Sequence, residues 1–160
     1  MKEIISQQKT QGSKLVLVII AGIFGTIAFD VAMYADIAIT GVPLDIVGLL
    51  GSLAMGESEY TQIVGHVIHF ANGIGLALLF GYVVLPISKK VMKLPIVVYA
   101  IAFSVIENII AVWFVMLPIL GAGIAGVNIA PEVALMTLSR HIVFGVVIGL
   151  VIQRGSTKAK

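Results

Sequence analysis

The chain has 160 residues, 59% of them hydrophobic and 11% charged, with a formal net charge of +2 and a mean hydropathy of +1.12. Soluble domains carry charge on about a quarter of their residues, so this composition excludes an ordinary soluble domain and defines an integral membrane protein whose first partner is the lipid bilayer. The sequence contains no cysteine, which excludes disulfides, zinc-thiolate centres, cysteine-held iron-sulfur clusters and covalent c-type haem; its small, segregated charge offers no contiguous basic face and excludes nucleic acid as a partner.

Residues 1 to 14 (MKEIISQQKTQGSK) are polar and read as a short cytoplasmic tail. The apolar run from 15 to about 38 exceeds a signal-peptide core and contains Asp30, which predicts an uncleaved first span. Gly22, Gly25 and Thr26 allow close approach of a neighbouring helix. Pro43 follows Thr40-Gly41-Val42 and ends the span. Ile46, Leu49, Leu50 and Leu53 then recur at helical spacing over a stretch too short to cross. They predict a short helix between spans 1 and 2, at the outer interface or tucked against the bundle. Glu57-Ser58-Glu59-Tyr60 returns the chain to water, with Tyr60 suited to the aromatic belt.

The second span is expected over 61 to 85, with His66, His69, Gly73 and Ala77 on one face. Residues 86 to 93 (PISKKVMK) read as a basic turn. The third span, 94 to 117, sets Ala100, Phe103, Ser104, Ala111 and Phe114 on the face of Glu107, and Pro118 closes it. A Gly-rich outer loop, 120 to 130 (LGAGIAGVNIA), leads to Pro131-Glu132, which fits the first turn of a fourth span, 131 to 153. That span carries Ala134, Thr137, Gly145 and Ile148 on the face of His141, and 154 to 160 is a second tail. The fold expected is all-α, a four-helix transmembrane bundle forming a single domain over 15 to 153.

Every Lys and Arg except Arg140 falls at one end of this plan, whereas Asp36, Asp45, Glu57, Glu59 and Glu132 lie at or near the other. The asymmetry places both termini in the cytoplasm and the chain in the cell membrane as a multi-pass protein. Each half contains a span with a carboxylate, an apolar outer loop, and a span in which histidine precedes glycine by one turn, His69 with Gly73 and His141 with Gly145. Such a pattern predicts two parallel two-helix repeats about an axis along the membrane normal.

Asp30, His69, Glu107 and His141 lie roughly eight to ten residues in from the outer ends of their spans, about 12 to 15 Å at the helical rise. They are expected to form one layer, and ionisable groups within hydrocarbon are functional candidates by default. Two imidazoles and two carboxylates could ligate one divalent transition metal (Fe, Cu, Zn or Mn), with His66 as a further ligand or at the mouth and Met33 softening the set toward copper. Glu107-Asn-Ile-Ile110 is not the Glu-x-x-His pair of dinuclear bundles. This reading makes the chain an accessory subunit of a membrane redox complex.

The same residues support three other readings. His69 and His141 could be the axial ligands of haem b. The four could relay protons or bind a cation in transport, which would require a homodimer or larger membrane complex. Arg140, which keeps its proton, could form a structural or proton-handling network with Glu107 or Asp30. The chain lacks a Walker loop, a dinucleotide fingerprint, a Gly-x-Ser-x-Gly elbow and His-Glu-x-x-His, so it is not expected to be an enzyme on its own.

The arrangement of Gly25-Thr26 with Asp30, Gly65-His66 with His69 and Gly73, Ile106-Glu107, and His141 with Gly145 resembles that of small uncharacterised four-span membrane proteins of bacteria and archaea. The resemblance covers residues 20 to 150 and brings no activity with it. Because the chain has no cysteine, topology is open to single-cysteine labelling. Lys89→Cys is expected to react with an impermeant maleimide only from the cytoplasmic side and Glu57→Cys only from outside; the reverse pattern would overturn the orientation.

Overall fold

The computed structural model describes the backbone of residues 2–158 and the side chains of residues 12–156. Among the described residues there are helices and no strands: α1 (Lys2–Thr40), α2 (Ile46–Met55), α3 (Thr61–Leu79), α4 (Leu85–Val91), α5 (Ile96–Glu107), α6 (Leu117–Ile119) and α7 (Val133–Lys158). Four stretches are long and apolar enough to cross a membrane: Gly12–Thr40, Thr61–Val91, Ile96–Ile119 and Val133–Ser156. The expected count of spans and the short apolar helix between the first two are both present.

In their described backbone both expected tails continue the neighbouring helices. No proline or glycine interrupts the chain before Gly12, and extending a long helix costs far less than nucleating one. Residues 86 to 93 depart from expectation, because Leu85–Val91 is helical and continues the second span. The reason lies just before each proline. Proline has no N–H, and its ring collides with the carbonyl four residues back, here Tyr82 for Pro86 and Phe114 for Pro118. The chain answers by widening into π-helix over Phe80–Val84 and Asn108–Met116. The N–H of Leu85 then bonds to Phe80 O, and that of Leu117 to Val112 O. Pro86 thus reshapes the second span without ending it, whereas the third span stops at Ile119, one residue past Pro118, and the second widened stretch begins directly after Glu107.

α1 packs against α3 and α7, and α7 packs against α1 and α5. Glycines set the spacing, as their distribution in the sequence predicts. A Cβ added at Gly73 would lie 1.9 Å from Thr26 Oγ1, and one at Gly145 would lie 2.8 Å from the Ala100 carbonyl. Thr26 is itself held by a hydrogen bond to Gly22 O at 2.9 Å. The missing side of the ring is between α3 and α5. Those two spans meet at the basic end, where the Phe80 and Phe103 rings approach to 5.6 Å, and they stand apart toward the other end.

α2 is tucked against α3. Asp45 caps it, its Oδ1 accepting from the N–H groups of Val47 (2.9 Å) and Gly48 (3.1 Å) while Oδ2 accepts from Gln62 Nε2 (2.9 Å). The two backbones touch, since a Cβ at Gly65 would fall 1.9 Å from Val47 O and one at Gly51 the same distance from Thr61 O. No rotamer change relieves a clash with a carbonyl. Gly65→Ala is therefore expected to loosen α2 and cost about 1–3 kcal/mol, read as a lower thermal midpoint in detergent and faster amide exchange in α2. Gly75→Ala, whose Cβ meets nothing within 4 Å, should leave the midpoint unchanged or slightly raised; equal losses would contradict the packing argument.

Candidate functional site

Each half of the chain contributes one carboxylate and its own histidine. In the first half, Asp30 of α1 and His69 of α3 are both buried, with His69 Nδ1 2.8 Å from Asp30 Oδ1. His66, one turn outward, brings its Nδ1 to 3.5 Å from Asp30 Oδ2 with its side chain 41% exposed, which suits the expected place at the mouth. In the second half, His141 Nε2 of α7 lies 3.1 Å from Glu107 Oε2 of α5. The Phe29 ring meets both buried imidazoles edge-on, at 4.9 Å from His69 and 5.1 Å from His141.

The expected single layer therefore resolves into two pairs bridged by an aromatic ring. Among the described residues, no His-carboxylate ion pair crosses from one pair to the other. Nor do three or more of His, Asp and Glu gather there into a group that could hold a metal ion. Met33 does not turn to either pair: fully buried, its sulfur lies 3.4 Å from the N–H of Ile46 and accepts from the start of α2.

Arg140 is the larger correction. It was expected to join Glu107 or Asp30, and it pairs instead with Asp36, Nε at 2.7 Å from Oδ2 and Nη2 at 2.5 Å from Oδ1. Its Nη1 donates to Leu44 O at 2.9 Å. The guanidinium is 1% exposed, and its planar fork matches a carboxylate edge in a way a point charge does not. One side chain thereby ties α7 to α1 and to the loop that launches α2. Helical offset explains the choice, because Arg140 is turned about 100° from His141 and faces a different part of α1.

Hydrogen-bond chemistry fixes one hydrogen of the second pair. His141 Nδ1 is 2.7 Å from the Thr137 carbonyl oxygen, which only accepts, so Nδ1 carries a hydrogen. Nε2 then faces a carboxyl oxygen at 3.1 Å. The first pair is alike in composition but meets through Nδ1. Asp30 Oδ1, His69 Nδ1 and Glu107 Oε2 are each buried without an aligned hydrogen-bond partner, so both pairs are close in distance yet loosely directed.

A cavity of about 250 Å³ opens where α3 and α5 stand apart. Glu107, His141, His69, Asn72 and Arg140 line it, with Leu49 and Leu50 of α2 above and Ala111, Val112 and Met116 from the widened part of the third span. Asp36, Asn72 and Phe29 were not singled out from the sequence. The available signal for Asp36 was that Arg140, the one cation inside a span, needs a carboxylate nearby; Asn72 is marked by being polar one turn from His69.

These features define a multi-pass helical membrane protein with two buried carboxylate-imidazole pairs beside a common cavity. The chain belongs to a family of unknown function (DUF6789), which matches residues 13–160. No curated protein and no solved structure matches it.

Removing one partner of a buried pair strands the other charge. Asp36→Asn is expected to cost about 3–5 kcal/mol, read as a lower thermal midpoint in detergent, and the Asp36→Leu, Arg140→Met double variant should recover most of it. A double variant as unstable as the single would show that Arg140 matters for more than its charge.

Proposed function

We propose that the protein binds and exchanges protons within the membrane, using Glu107 with His141 and Asp30 with His69 as two proton-holding sites next to the cavity. The carrying observation is the geometry at His141, whose Nδ1 is committed to a carbonyl at 2.7 Å while Nε2 faces Glu107 at 3.1 Å. A carboxylate and an imidazole sharing one proton are neutral together, which lowers the cost of keeping them in hydrocarbon. Imidazole also gives up or takes a proton near physiological pH. The fixed charge of Arg140 is answered by Asp36, so neither pair has to serve as its counter-ion. We place the basic ends of the spans in the cytoplasm, so the cavity and both pairs sit in the outer half of the cell membrane, and proton exchange takes place from that side.

One divalent ion (Fe, Cu, Zn or Mn) or haem b would draw on the same side chains. Either would require the two pairs to regroup about a common centre, whereas proton exchange uses the separations already present. Infrared difference spectra across a pH jump, on full-length protein in liposomes, distinguish these readings. A protonated-carboxyl band that disappears in Glu107→Gln and shifts in His141→Asn is expected. A spectrum unchanged by Glu107→Gln and by Asp30→Asn would reduce the pairs to structural contacts. Stoichiometric metal, or a Soret band, in protein purified without added metal or affinity histidines would replace this reading with a cofactor site.

A further inference from the structure

The cavity has properties that proton exchange does not use. Its volume, about 250 Å³, exceeds the roughly 150 Å³ at which an apolar protein cavity takes up benzene. Leu49, Leu50, Leu76, Val112 and Met116 supply apolar wall, and four rings, Phe29, His69, His141 and Phe144, line it as well. A planar ring packs edge-to-face against such a lining. Asn72 of α3 and Ala111 of the third span line the cavity and are both exposed, so access lies sideways through the gap between those two spans.

Charge decides what can enter. Each charged group on the lining is matched inside the chain: Arg140 by Asp36, Glu107 by His141, His69 by Asp30. An ion would arrive without a counter-charge and would have to shed its water, so the site suits a neutral occupant. One polar position remains. Asn72 lines the same cavity and brings an amide that both donates and accepts; no hydrogen bond to it is found among the described residues.

We propose that this cavity binds a neutral, membrane-soluble, single-ring compound bearing a hydroxyl, of the phenol class. The hydroxyl serves the Asn72 amide, and the ring lies among Phe29, Phe144, Leu50 and Leu76. The inference shares the cavity with the proton-exchange reading but rests on its volume, its lining of rings and the Asn72 amide. Binding measured at fixed pH can therefore succeed or fail whatever the infrared experiment returns.

The chain carries its own reporter. Trp113 is the single tryptophan, and its indole N–H donates to Thr137 Oγ1 at 2.8 Å, Thr137 being part of the cavity wall. Titrating full-length protein in detergent with 4-bromophenol should quench Trp113 saturably through the bromine, and bromobenzene should bind about fivefold more weakly for want of one hydrogen bond. Asn72→Leu, at an exposed position where folding is safe, should weaken bromophenol by a similar factor and leave bromobenzene unchanged. Ala111→Leu, which adds three carbons to the cavity wall, should weaken quenching by both. Equal affinity for the two probes, no effect of Asn72→Leu, or unsaturable quenching that survives Ala111→Leu would overturn the proposal. So would saturable quenching by a phospholipid with brominated acyl chains that bromophenol fails to displace, because the cavity would then be a lipid seat.

Discussion

The arrangement depends on one buried charge that cannot be removed by losing a proton. Arg140 sits inside the fourth span, and hydrocarbon gives an isolated guanidinium no counter-charge, so a carboxylate has to come to it. Asp36 does so in bidentate fashion. Because it does, Asp30 and Glu107 are released from that duty and meet histidines. Had either answered Arg140, its histidine would have lost its partner, and one of the two carboxylate-imidazole pairs would be a permanent salt bridge. The same guanidinium bonds to Leu44 O, so the charge that decides the chemistry also positions the chain ahead of α2 and the roof of the cavity.

The cavity arises from unequal spacing between helices. Where glycine removes a side chain, backbones close up, as at Gly73 against Thr26 and Gly145 against Ala100. α1 with α3 and α5 with α7 are drawn together in this way, and α1 with α7 joins the two halves. Nothing comparable joins α3 to α5 above Phe80 and Phe103. The third span there carries the π-helical stretch Asn108–Met116, whose wider turn presents Ala111, Val112 and Met116 to the gap. π-Helical turns occur disproportionately at functional sites, and this one begins at the residue after Glu107.

Pairing follows the halves of the chain, carboxylate from the leading span and histidine from the returning one, but the halves are not equivalent. His69 meets Asp30 through Nδ1 and His141 meets Glu107 through Nε2. Only the first pair has an additional histidine, His66, and only the second has an imidazole nitrogen committed to a backbone carbonyl, at Thr137. The second pair is thereby the more constrained, and both of its members line the cavity, whereas only His69 of the first does.

The sequence by itself determined the class of protein, the four spans and which buried titratable residues to look at, because the physics behind each is local. Hydrocarbon tolerates few charges, so Asp30, His69, Glu107 and His141 stand out in apolar runs without reference to any partner; likewise glycines at helical spacing announce close approach. Only the tertiary structure decided who pairs with whom. That choice depends on helix rotation and on sub-turn differences in depth, which a wheel drawn on an ideal helix does not carry, least of all past prolines that widen two of the spans. Rotation sent Arg140 to Asp36, split an apparent layer into two pairs across Phe29, and left beside them a space that no stretch of sequence encodes, since it is made by four spans and α2 failing to fill a common volume.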